Sequence, residues 1–119
     1  MLTNGELIAE SDEDLEIGND IVAGFDFRDR LVIQMEHTDF EQSRFNWKIA
    51  AVIDKDELSL IAKALDCDSQ DLPKALSERF APESFSLRPS EVEGIFQEIL
   101  EFILDCGCHY KLERGKGNV

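Results

Sequence analysis

The stretch ILDCGCHYKL, residues 103–112, gathers Cys106, Cys108 and His109 around Gly107, the densest set of thiols and imidazole in the chain. A structural zinc site takes four ligands, commonly from two knuckles with two to four residues between paired cysteines. Here there is one knuckle with a single intervening residue, and Cys67 or His37 would have to fold in to complete it. A thioredoxin-type redox pair needs two intervening residues. The same positions are explained without chemistry. Cys106 closes a helix, Gly107 takes the left-handed conformation just past it, Cys108 enters the core as a small apolar residue, and His109 points outward. The expectation is a helix stop, with no metal and no cofactor.

A second set lies in EHTDFEQSR, residues 36–44, where Glu36, His37, Asp39 and Glu41 come close in sequence. A histidine among carboxylates suits a divalent cation or an acid/base pair, and connections longer than an ordinary hairpin loop are enriched in function. The plainer alternative is a hairpin whose strands continue into the loop with polar side chains outward. Nucleophilic catalysis has less to build on. There is no G-x-S-x-G elbow, no phosphate-binding glycine loop and no histidine in a motif that names its partner. A protein without catalytic activity is expected, with a metal-dependent enzyme built on His37, Asp39 and Glu41 as the third choice.

The third set is acidic. Residues 1–20 hold seven carboxylates and no Lys or Arg, so they carry half of the net charge of −14. Glu10, Asp12, Glu13, Asp14 and Glu16 fall within or beside ESDEDLE, and with Glu36, Asp39 and Glu41 they make up the expected partner-binding residues. Such a chain repels phosphate backbones and anionic lipid, which disfavours direct nucleic-acid or membrane binding and leaves basic proteins as natural partners. An inhibitor or immunity-type neutraliser that fills a cationic cleft is the leading expectation; a solvated acidic arm that only keeps the chain soluble is the bland one.

Behind these residues stands one domain's worth of chain. At 119 residues, 43% hydrophobic and 32% charged, the composition suits one globular unit. Residues 1–20 read as an acidic arm or edge strands, 21–113 as a single domain and 114–119 as a tail. An odd cysteine count, no secretory-type start and no apolar run near the ~18 residues of a membrane span make the cytoplasm the expected compartment.

Alternation marks the strands: Ile21, Ala23, Phe25 and Phe27; then Leu31, Ile33 and Met35; then Phe45, Trp47, Ile49, Ala51 and Ile53. The period shifts at IDKDELSLIAKAL, where Asp54 and Glu57 form a capping-box pattern ahead of Leu58, Ile61, Ala62 and Leu65. SQDLPKALSERFAP reads as a shorter helix with Leu72, Ala75, Leu76 and Phe80 inward. Residues 89–106 carry the longest stripe, through Val92, Ile95, Phe96, Ile99, Leu100 and Ile103. Cys108, Tyr110 and Leu112 give a last strand.

The fold class that follows is α+β: a mainly antiparallel sheet of about four to five strands, three helices on one face, order β-β-β-α-α-α-β. The opposite face would carry Val22, Val32, Ala50 and Val52. That is apolar for a solvated face, so a homodimer or small-molecule-binding module is the runner-up function.

Overall fold

Five strands form one antiparallel sheet in sequence order, and the computed structural model describes residues 2–84 and 86–116. The strands are β1 (Thr3–Glu10), β2 (Ile17–Phe25), β3 (Leu31–Asp39), β4 (Trp47–Ile53) and β5 (Lys111–Lys116). Three helices, α1 (Leu58–Leu65), α2 (Leu72–Phe80) and α3 (Pro89–Asp105), fall between β4 and β5. This is the expected α+β class, with one strand more at the front: the acidic start of the chain pairs with β2 as an edge strand.

The alternation in the sequence sorts side chains to two faces. Ile21, Ala23, Phe25, Leu31, Ile33, Met35, Ile49, Ala51 and Ile53 turn to the helices and are buried with Ile61, Leu72, Leu76, Val92, Phe96, Ile99 and Ile103. Fully burying each Ile, Leu or Phe stabilises the fold by about 1.5–3 kcal/mol, so this single layer of contact dominates. α2 lies against β1 and β2, and α3 crosses β2 and β1. On the other face Val32, Ala50 and Val52 are already buried in one copy, with Leu2 packed against them, and Val22 is half-buried. A second copy is therefore not needed to shield that patch.

The 103–112 stretch is a helix stop. α3 ends at Asp105, Gly107 sits at φ +84°, and its N–H donates to the Leu104 carbonyl (3.0 Å) while that of Cys108 donates to Ile103 (3.2 Å). Those two bonds are a Schellman motif, which satisfies carbonyls the helix leaves open. Cys108 is buried and its Sγ lies 3.4 Å from the Glu57 carbonyl.

Several local expectations change. Asp54 makes no side-chain cap, because a 3-10 turn, Lys55–Glu57, precedes α1 and the Glu57 carboxylate turns to His109 instead. β2 stops at Phe25; Phe27 stands in the hairpin turn, 86% exposed, because Asp26 folds the chain back by accepting the amides of Arg28 and Arg30. Phe45 lies in a 3-10 turn, Ser43–Phe45, ahead of β4. The last strand starts at Lys111 rather than Cys108, since the Schellman turn needs Gly107 and Cys108. Arg114–Lys116 thus belong to β5 and not to the tail; residues 117–119 lie outside the described residues.

Candidate functional site

Two acidic segments far apart in sequence meet at one end of the sheet. The turn after β1 carries Asp12, Glu13, Asp14 and Glu16, and the tip of the β3–β4 hairpin carries Asp39 and Glu41. Cross-strand pairing sets Ile17 opposite Asp39, and the Phe40 N–H donates to the Glu16 carbonyl at 3.0 Å, which ties the two turns together. Glu10, at the end of β1, faces Asp20, and Asp20 faces Glu36. Partners across a ladder share a face, so Glu10, Asp20 and Glu36 form a row of carboxylates on the face away from the helices. All eight expected partner-binding residues, Glu10, Asp12, Glu13, Asp14, Glu16, Glu36, Asp39 and Glu41, therefore gather at this end.

The row has an electrostatic consequence. Burial first, and then the charges of Glu36 and Glu10, push the Asp20 carboxyl up to about 6 from 3.8. A cation placed beside the row would favour the ionised form and draw that value down again.

Apolar side chains stand among these charges. Leu15, Ile17, Phe40 and Phe45 are exposed, and the Phe40 ring lies over Gly18, where an added Cβ would meet it at 3.3 Å. A larger residue at position 18 would lift the ring.

What positions the end is a polar network beneath it. Asn19 is 2% exposed; its N–H donates to Ser11 Oγ (2.9 Å), its carbonyl accepts the Ser11 N–H (2.9 Å), and its Nδ2 donates to the Pro89 carbonyl (2.9 Å). That leaves Asn19 Oδ1 to accept from His37 Nδ1 at 2.7 Å, so the imidazole carries its proton on Nδ1. His37 also stacks on Trp47, with centroids 5.1 Å apart. Asn19 thereby joins the β1–β2 turn, β3 and the start of α3. At that start the Glu91 carboxylate accepts the Arg88 N–H at 3.1 Å, one half of a capping box, since Arg88 has no acceptor to return. The Asp39 carboxylate accepts the N–H groups of Glu41 (3.0 Å) and Gln42 (2.9 Å), and its own N–H donates to Asn46 Oδ1 (2.7 Å).

The His37 Nδ1 is held by Asn19 and one Asp39 carboxylate oxygen by its own loop, and among the described residues no three His, Cys, Asp or Glu side chains gather so as to hold a metal ion. The first four residues of the long connection are strand: Glu36, His37, Thr38 and Asp39 all lie in β3. The thiols do no better as nucleophiles, because burial raises the pKa of Cys67, Cys106 and Cys108, with neighbouring carboxylates adding to it.

Sequence reasoning passed over Asp20, Asn19, Leu15, Ile17 and Phe40. Asp20 had a usable signal, since it shares a parity with Val22 and so leaves the core face; the others needed the β2–β3 register. Compared with protein-family models, curated proteins and solved structures, the chain matches none of them.

Proposed function

We propose that this protein is a non-catalytic binding module that docks the acidic end of its sheet on a basic protein, as an inhibitor or immunity-type neutraliser does. The observation that supports this is the convergence of residues 10–16 with 36–41 around exposed Leu15, Ile17 and Phe40. Carboxylates steer a cationic partner and set its orientation, while apolar side chains in their midst supply area that water leaves on contact. Affinity for such a partner rises with pH through about 6, as Asp20 ionises.

The test compares two equal charge removals. One variant carries Glu13→Gln, Asp14→Asn, Glu16→Gln and Glu41→Gln; the other carries Glu93→Gln, Glu98→Gln, Glu101→Gln and Asp105→Asn on the exposed side of α3. Each is crosslinked at low salt in a lysate of the cells that make the protein, and captured chains are identified and titrated after purification. A basic partner lost from the first variant and kept by the second, with affinity falling as salt rises, is the expected result. Equal capture by both, or a captured partner without excess Lys and Arg, overturns the reading.

A further inference from the structure

β1 is an edge strand, and it and the turn that follows it are fastened at two places, to α2 and to the α2–α3 connection. Ser77 Oγ, on α2, donates to the Leu7 carbonyl at 3.0 Å, and the Asp12 N–H donates to the Leu87 carbonyl at 2.9 Å. Among the described residues, no other hydrogen bond joins β1 to the helical layer between them. Between these fastenings lies an open cavity of about 440 Å³, with the strand from Leu7 onward on one side and Ala81, Pro82 and Ser84 on the other. Ile8 and Ala9 give it an apolar floor, and Glu10, Asp12, Glu13 and Asp14 are the charged side chains around it, with no Lys or Arg among the described residues that line it.

We infer that this groove takes an extended segment of a basic protein as a sixth strand beside β1. The inference rests on the docking reading above and specifies what part of the partner is recognised. Ile8–Ser11, at about 3.3 Å per residue, span about 13 Å, so the segment that fits between the fastenings is about four residues long. A strand added to an open edge gains affinity from main-chain bonds and selectivity from its alternating side chains. On the face away from the helices, alternate side chains would extend the Glu10–Asp20–Glu36 row, which calls for Lys or Arg. On the helix face the others would meet Ala81 and Pro82, which calls for small apolar residues. The groove's charge complement thus lies in an alternating basic sequence rather than in an acidic or neutral one.

The test uses three short peptides with the intact protein at low salt: alternating Lys and Val, the same sequence with every second backbone amide N-methylated, and alternating Glu and Val. N-methylation keeps the charge and removes the ladder donors. The expected result is that the Lys–Val peptide binds at least tenfold tighter than its methylated form and slows hydrogen exchange in Ile8–Ser11, and that Ala81→Arg weakens it to the same degree. Equal binding by the plain and methylated peptides, or protection outside β1, overturns strand addition while leaving acidic docking intact. Binding of the Glu–Val peptide as tight as the Lys–Val peptide overturns both.

Discussion

The two ends of the sheet handle charge in opposite ways. At the end of the β2–β3 turn, acids meet bases: Asp26 holds Arg30 through Nε and a second guanidinium nitrogen, each at 2.8 Å, and Glu57 holds His109 at 3.0 Å. At the end of the β1–β2 turn, like charges are stacked across three strands, and Asp12 and Asp39 accept amides of their own loops. Acid therefore acts on the ends with opposite sign. Backbone and guanidinium bonds outweigh burial and hold Asp26 below its ordinary value, and the His109 bonds do the same for Glu57; their stabilisation is lost as pH falls through the carboxylate range. Asp20 is raised instead, and its strain grows as pH rises. The row Glu10–Asp20–Glu36 meets Lys48 on β4 at one end and stops at Glu10 on the open edge at the other, where an added cation would draw the Asp20 carboxyl back down.

If the acidic end is held in shape against its own repulsion, the Asn19 network does the holding, and breaking it gives the largest effect. Asn19→Ala removes the bonds to the Pro89 carbonyl and His37 Nδ1 from a buried site. The expected loss is about 2–3 kcal/mol in urea unfolding, since stranded polar groups lose both bond and solvation. Hydrogen exchange should quicken at the start of α3 and in the 11–16 turn, with the 26–30 turn unchanged. A uniform change across both ends would remove the distinction drawn between them.

The paired end offers the next effect. Gly107→Ala puts a side chain at φ +84° with nothing within 4 Å of the new Cβ, so the cost is conformational alone, about 1 kcal/mol. A loss of several kcal/mol would mean that the turn is packed more tightly than that empty surround allows.

How much of this could be read beforehand depended on whether a position answered to local pattern or to register. Gly107, Cys108 and the stripe of α3 followed from spacing, because a helix stop is a local event. The alternation of Ile21, Ala23 and Phe25 gave the core face for the same reason. Phe27 and Glu57 broke the pattern because a side-chain bond won: Asp26 ended the strand early, and His109, far along the chain, drew Glu57 away from Asp54. The eight acids were legible as residues, but their convergence was not. Nothing in ESDEDLE or EHTDFEQSR states that Ile17 pairs with Asp39, and the Asn19–Pro89 bond spans seventy positions.

Asp20→Asn sharpens the comparison with a gain rather than a loss. The folded carboxyl titrates at about 6 against 3.8 for the ordinary value, so its stabilisation is complete below about 4, declines as pH climbs, and is gone above about 6. The amide removes that decline. At pH 7 the variant should be more stable by roughly 1 kcal/mol, discounted because the row is open to water, and at pH 4 it should equal the parent. Melts at the two pH values decide it: a gain that persists at pH 4 would show that packing of the amide, and not the burial of an ionised carboxylate and its repulsion from Glu36 and Glu10, is the cause.

Glu57→Gln has the smallest expected effect, and that smallness is informative. The His109 side chain is 88% exposed, so water screens the pair and the net contribution of such an ion pair is slight. Glutamine keeps an oxygen that can still accept the His109 N–H, now at 3.3 Å from the carboxylate. The Cys108 thiol bond goes to the Glu57 carbonyl, which the substitution leaves in place. The melting midpoint should be indistinguishable from the parent at pH 7, and equally so at pH 4. A measurable drop at pH 7 that vanishes on acidification would show that the pair does hold the helix stop to the start of α1. The two ends would then differ in the sign of their charge arrangement but not in how much the fold depends on it.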